Sequence, residues 1–107
     1  AASDPFPLAA TDFYQVLDTS DVPAGVVNIL TGTHSDLAGP LASHMNVDAV
    51  WSFSSTDLSA EIEKASASNL KRTWVNNGTA LDWDTDHSRR FLEAATEIKN
   101  IWVPYGE

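Results

Sequence analysis

The 107-residue chain contains no cysteine. That absence removes disulfides, thiolate metal ligands and a thiol nucleophile together. Basic residues are scarce as well: six lysines and arginines stand against fifteen aspartates and glutamates, for a formal net charge of -9. A surface of that sign repels phosphate backbones and anionic lipid, so neither nucleic acid nor a membrane is an expected partner, and the direct effect of the charge is solubility. No apolar run is long enough to span a bilayer, and Ala1-Ala2-Ser3-Asp4-Pro5 lacks the basic-then-apolar order of a secretion signal, so a cytoplasmic location is expected. Without such a signal, Asn77-Gly78-Thr79 reads as a turn rather than as a glycosylation acceptor. Also missing are a Gly-x-Gly-x-x-Gly fingerprint, a Walker loop and a Gly-x-Ser-x-Gly elbow, which leaves nucleotide hydrolysis and serine-type acyl transfer without a motif.

What is present is ordinary globular material. Hydrophobic residues make up 43% and charged residues 20%, enough for one folded domain over 1–107 and too little chain for two. Ala10, Phe13, Tyr14 and Leu17 fall at helical spacing within 8–18, and Pro7 suits the first helical position. Val22-Pro23-Ala24-Gly25 then forms a turn before Val26–Leu30, an apolar run of the kind buried on both faces of a sheet. Leu37, Leu41 and Met45 predict a helix over 35–45, with Gly39-Pro40 loosening it. A second strand is expected over 47–53. Ser54-Ser55-Thr56-Asp57 supplies hydroxyls and an early carboxylate to start a helix through Ser66 with Leu58, Ile62 and Ala65 inward. A third strand over 70–75 exits through Asn76-Asn77-Gly78, an acidic loop follows over 82–86, and a helix over 86–99 leads to a fourth strand at 100–104. Strands alternating with helices predict an α/β fold: a mostly parallel sheet of about four strands with helices on both faces.

The side chains that could carry chemistry are few. His34, His44 and His87 are scattered; Asp84, Asp86 and His87 fall short of the three or four rigidly held ligands a metal needs, so no metal site is expected and Thr85 or Asp86 is read as a helix cap. His44 is read as a cap on the last carbonyls of the preceding helix. Trp51, Trp74, Trp83 and Trp102 suggest packing rather than a ligand cage, since three of them fall in predicted strands. Ser54-Ser55 is the sole candidate anion cradle, with plain helix capping as the competing use.

Three runs taken in order, Val22-Pro23-Ala24-Gly25-Val26-Val27-Asn28-Ile29-Leu30-Thr31-Gly32, then His44–Val50, then Asn69-Leu70-Lys71, resemble the coenzyme domain of the aldehyde dehydrogenase superfamily. Upstream, Ser3-Asp4 and Pro7-Leu8 extend the likeness, which implies a three-layer Rossmann-like fragment. On that resemblance the ribose-binding lysine falls at Ala1, with Asp4 representing the neighbouring acid. The pyrophosphate turn falls on Ser52-Phe53-Ser54-Ser55, where Ser54 puts a side chain in place of the glycine that lets phosphate approach. Asp4, Ser54 and Ser55 are therefore read as a vestigial cofactor site. The general-base glutamate falls at Asn76, and an amide cannot take a proton from water. No catalytic residue remains, since the nucleophilic cysteine is also missing.

The ending, from Leu81-Asp82-Trp83 through Arg89-Arg90-Phe91-Leu92 to Ile101-Trp102-Val103-Pro104-Tyr105-Gly106-Glu107, resembles the sixteenth aldehyde dehydrogenase family, whose members carry a second, degenerate domain. The resemblance implies a fragment of that domain, excised or proteolysed, from a parent that uses NAD or NADP. This chain is expected to bind neither, not to be an enzyme by itself, and to serve as a packing or oligomerisation scaffold. The alternative is a vestigial dinucleotide-binding module. The expected partners are the remainder of the parent and, through exposed apolar surface, a second copy.

Overall fold

The structure is a computed structural model that describes residues 6–85 and 88–106. Helical spacing in the sequence becomes helix in all four predicted places: α1 spans Leu8–Asp18, α2 His34–Ser43 and α3 Thr56–Ser66, followed by a single 3-10 turn at Ala67–Asn69, and α4 spans Ser88–Ala95, stopping short of the predicted end at Lys99. Pro7 stands immediately before α1 with helical backbone angles, the conformation its ring favours. Pro40 lies inside α2, which continues through it without the predicted loosening. The hydrogen bond that its missing N–H would make is forgone there.

Two strands, β1 at Ala49–Ser52 and β2 at Arg72–Val75, pair in parallel with Trp51 opposite Trp74 and Ser52 opposite Val75. α3 makes the crossover between them, as parallel neighbours require. The class is α/β, as expected, but among the described residues the sheet has two strands rather than four. Val26–Leu30 and Asn100–Pro104 are exposed and lie outside any strand. Apolar, β-branched composition favours a strand only where a neighbour supplies ladder partners, and among the described residues neither run pairs with a strand.

The core is built from small residues. Ala38 and Ala42 of α2 meet Ile62 of α3, with Val50, Leu58, Ala65 and Val75 packed around them. Ser59 and Ser66 are also buried, so the inward stripe of α3 runs Ser59, Ile62, Ser66, with Leu58 and Ala65 on its flanks. Alanine and serine at these positions let the two helix backbones approach closely, and the Ser59 hydroxyl satisfies itself on the Ser55 carbonyl at 2.8 Å. α1, by contrast, buries no residue. The radius of gyration of 16.8 Å exceeds the roughly 13 Å of a compact domain of this length.

Candidate functional site

In parallel sheets, ligands bind where the chain leaves the carboxyl ends of the strands. Here those ends are the turn Phe53-Ser54-Ser55 after β1 and the turn Asn76-Asn77-Gly78-Thr79 after β2. Asn77 (φ 49°) and Gly78 (φ 77°) are both left-handed, and the Thr79 N–H closes on the Asn76 carbonyl at 2.9 Å. That is the Asn-Gly turn chemistry predicted from sequence. Glycine is required at 78 on two counts: its φ, and the Thr56 Oγ1 that would lie 3.2 Å from a Cβ.

The two turns are laced together. The Ser54 N–H donates to Asn76 Oδ1 at 2.8 Å, the Gly78 N–H donates to the Ser54 carbonyl at 2.9 Å, and the Thr56 hydroxyl donates to the Asn77 carbonyl at 3.1 Å. Asn76 Nδ2 donates to the Thr79 carbonyl. Ser54 Oγ lies 3.0 Å from Ser52 Oγ. Ser55 is the N-cap of α3 and its hydroxyl accepts from the Leu58 N–H at 3.3 Å. Thus Ser54, Ser55 and Asn76, 22 residues apart in sequence between Ser54 and Asn76, are brought into one cluster. Asp4, Asp86 and His87 lie outside the described residues. Thr85, predicted as a cap, donates its hydroxyl to Asp82 Oδ2 at 2.7 Å. Among the described residues no three histidine or acidic side chains group as metal ligands, and no helix is long and apolar enough to cross a membrane.

A cleft of about 540 Å³ opens beside this cluster, with a polar and aromatic lining that includes Ser52, Asn76, Trp51, Phe53 and Trp83. The aromatic residues belong to a larger assembly. Trp51 and Trp74 meet edge-on at 5.2 Å, Phe53 meets Trp74 at 5.3 Å and Trp83 at 5.4 Å, and Phe91 of α4 lies 5.1 Å from Trp74. Such pairs contribute about 0.5–1.5 kcal/mol each beyond the area they bury. Packing was the predicted role of the tryptophans and holds for Trp51, Trp74 and Trp83. Trp102 is 91% exposed and lies in no strand.

Lys71 and Asn69 hold the frame. Lys71 is buried, and its ammonium donates to the Leu41 carbonyl at 3.3 Å and the His44 carbonyl at 2.7 Å, completing the carboxyl end of α2. Sequence reasoning gave that task to His44. Its imidazole instead accepts from the Asn46 N–H through Nδ1 at 3.1 Å, because a ring on the C-cap residue cannot reach back where the long side chain of Lys71, just before β2, can. Asn69 Nδ2 donates to the carbonyls of Met45 and Val47, so the run Asn69-Leu70-Lys71 ties the start of β2 to the end of α2. Upstream, Gly25 (φ 83°) turns the chain and Asn28 Nδ2 donates to its carbonyl at 3.0 Å. The runs singled out in the sequence therefore have defined local jobs.

Comparison with protein families matches residues 2–81 to the aldehyde dehydrogenase family. Among curated proteins, the chain is 36% identical over 72 residues to 3,6-anhydro-alpha-L-galactose dehydrogenase of Vibrio sp. (strain EJY3), covering 67% of this chain and 15% of that protein. It is 39% identical over 72 residues to aldehyde dehydrogenase family 2 member C4 of Arabidopsis thaliana, covering 66% of this chain and 14% of that one. It is also 36% identical over 73 residues to aldehyde dehydrogenase, cytosolic 1, of Mus musculus, again 67% of this chain and 15% of the relative. The chain thus spans about 15% of the length of the curated relatives it matches. No solved structure matches it.

Proposed function

The chain belongs to the aldehyde dehydrogenase family, and from that premise we propose that it is a non-catalytic scaffold segment of a larger NAD- or NADP-dependent aldehyde dehydrogenase. The observation that carries this reading is the state of Asn76. Its amide oxygen accepts from the Ser54 N–H and its amide nitrogen donates to the Thr79 carbonyl, so the side chain at the family's general-base position is a structural bridge between two turns. An amide oxygen with no basicity at neutral pH cannot activate water, and the chain holds no thiol to attack an aldehyde. The resemblance of the residues after Leu81 to the sixteenth family supports reading the segment as part of that family's degenerate second domain, whose three-layer fold the rest of the parent would complete. The cytoplasm is the matching location.

The residues present do not fit a dinucleotide pyrophosphate. The Ser54 N–H is engaged by Asn76, the Ser55 hydroxyl by Leu58, and the first turn of α3 carries Asp57, whose charge opposes a phosphate. The alternative, a vestigial dinucleotide-binding module, draws on one feature: α3 begins at the carboxyl end of β1, beside the 540 Å³ cleft.

Incubating the purified chain with an aldehyde panel and NAD or NADP is expected to give no reduced cofactor. Calorimetric titration of the same sample with either dinucleotide is expected to give no saturable heat at millimolar concentration. Turnover that vanishes on Asn76→Ala would overturn the non-catalytic reading, and saturable binding weakened by Ser55→Ala would establish the alternative.

A further inference from the structure

We infer that the stretch beyond the family match is an intramolecular seal, in which the Trp83 loop and α4 cover an aromatic sheet face that would otherwise present itself to another polypeptide. The match ends at residue 81. The sheet has two faces: Val50 and Val75 point to the α2–α3 core, while their neighbours Trp51 and Trp74 point to the opposite side. Trp83 and Phe91, both after residue 81, pack on that side, and Trp51 keeps 37% of its surface exposed. Phe91 lies 5.1 Å from Trp74, 5.8 Å from Trp51 and 6.3 Å from Trp83, the last pair stacked within 12° of parallel. Trp83 in turn meets Phe53 edge-on.

Polar contacts fix the same segment at its other side. The Arg90 guanidinium sits 4.7 Å over the Trp74 ring, a favourable placement of a cation on an aromatic face. From the sheet, Arg72 Nη1 donates to the Ala94 carbonyl at 3.4 Å and the Thr96 carbonyl at 2.7 Å, placing a cation at the carboxyl end of α4 where the helix dipole favours one. α4 is therefore held by the ring of Phe91, by the Arg90 cation over Trp74 and by Arg72 at its last turn. Stripped of it, Trp51, Phe53 and Trp74 would form a contiguous apolar patch of the kind that marks a protein-binding surface. The occupant of that patch is the chain's own α4. This inference concerns residues 82–85 and 88–96 and stands independently of the scaffold reading.

The test uses the full 107-residue chain with Phe91→Ala and, separately, Arg90→Ala combined with Phe91→Ala. Indole N–H signals are followed by NMR and association by sedimentation over a concentration series. The expected result is joint displacement of the Trp51, Trp74 and Trp83 indole signals with the Ala42 and Ile62 amide signals unmoved, and association setting in at a concentration several-fold below that of the unsubstituted chain. Indole signals that stay in place, or association that is unchanged, would overturn the seal. Loss of the Ala42 and Ile62 signals along with the indoles would overturn it too, because α4 would then be part of a single core.

Discussion

Residues 6–33 and residues 34–79 make opposite use of equally good sequence. The first region holds a clear helical spacing and the most specific family run, Val22–Gly32, yet nothing in α1 is buried and Val26, Val27, Ile29 and Leu30 stay exposed. The second region has a helix interrupted by Pro40 and a core of two alanines and an isoleucine, and it supplies the buried core of the described chain. Local sequence quality sets which element forms; burial depends on what lies next to it. Propensity alone leaves an 11-residue helix marginal in water, so α1 is the element that most needs a partner, whereas α2 and α3 have each other.

The largest effect that would sharpen this comparison comes from Ile62, 1% exposed at the contact of α3 with Ala38 and Ala42. Ile62→Ala is expected to cost about 2–5 kcal/mol, lost transfer energy plus a cavity that small neighbours cannot fill. A small domain has little stability to lose, so chemical denaturation should show a midpoint shifted to near zero denaturant. A change within experimental scatter would mean that the second region is not the core.

Much of this arrangement is legible in the residues, and what is not has a physical cause. α1 and α3 follow from apolar spacing, the Ser55 cap from a hydroxyl before an apolar stripe, and the Asn77-Gly78 turn from the need for two left-handed residues. The strands at 26–30 and 100–104 are absent because a strand depends on a ladder partner, and partnership is not encoded in the run itself. The site was half legible: the loss of the base at Asn76 follows from its chemistry, but that its amide would be spent holding the Ser54 N–H depends on two strand ends meeting across 22 residues. Lys71 was missed for the same reason. The one available signal was a lysine at the start of a predicted strand where a solvated charge would be unusual.

Lys71 gives the intermediate effect. Lys71→Met keeps the length and apolar stem but removes the ammonium, leaving the Leu41 and His44 carbonyls without that donor in a part-buried site. The expected cost is about 1–3 kcal/mol. Hydrogen exchange should report it as faster exchange in the last turn of α2, with α1 unaffected, since the two regions share no load. Equal acceleration in α1 would join the regions and break the comparison.

The smallest effect is expected from Phe13, 51% exposed on a helix that buries nothing. Phe13→Ala should change stability by no more than about 0.5 kcal/mol, the ordinary range for surface positions, although the same substitution at a buried phenylalanine costs about 3–5 kcal/mol. Alanine is the better helix former, so a slight gain is as consistent as a slight loss. The informative measurement is again exchange: amides of α1 and of Val26–Leu30 should exchange far faster than those of α3 in this chain. In a longer aldehyde dehydrogenase chain that supplies a covering surface, the same amides should become protected and Phe13→Ala should acquire the cost of a core substitution. Protection of α1 equal to that of α3 in the 107-residue chain would show that the exposed face of the first region already has its partner, and the asymmetry between the regions would disappear.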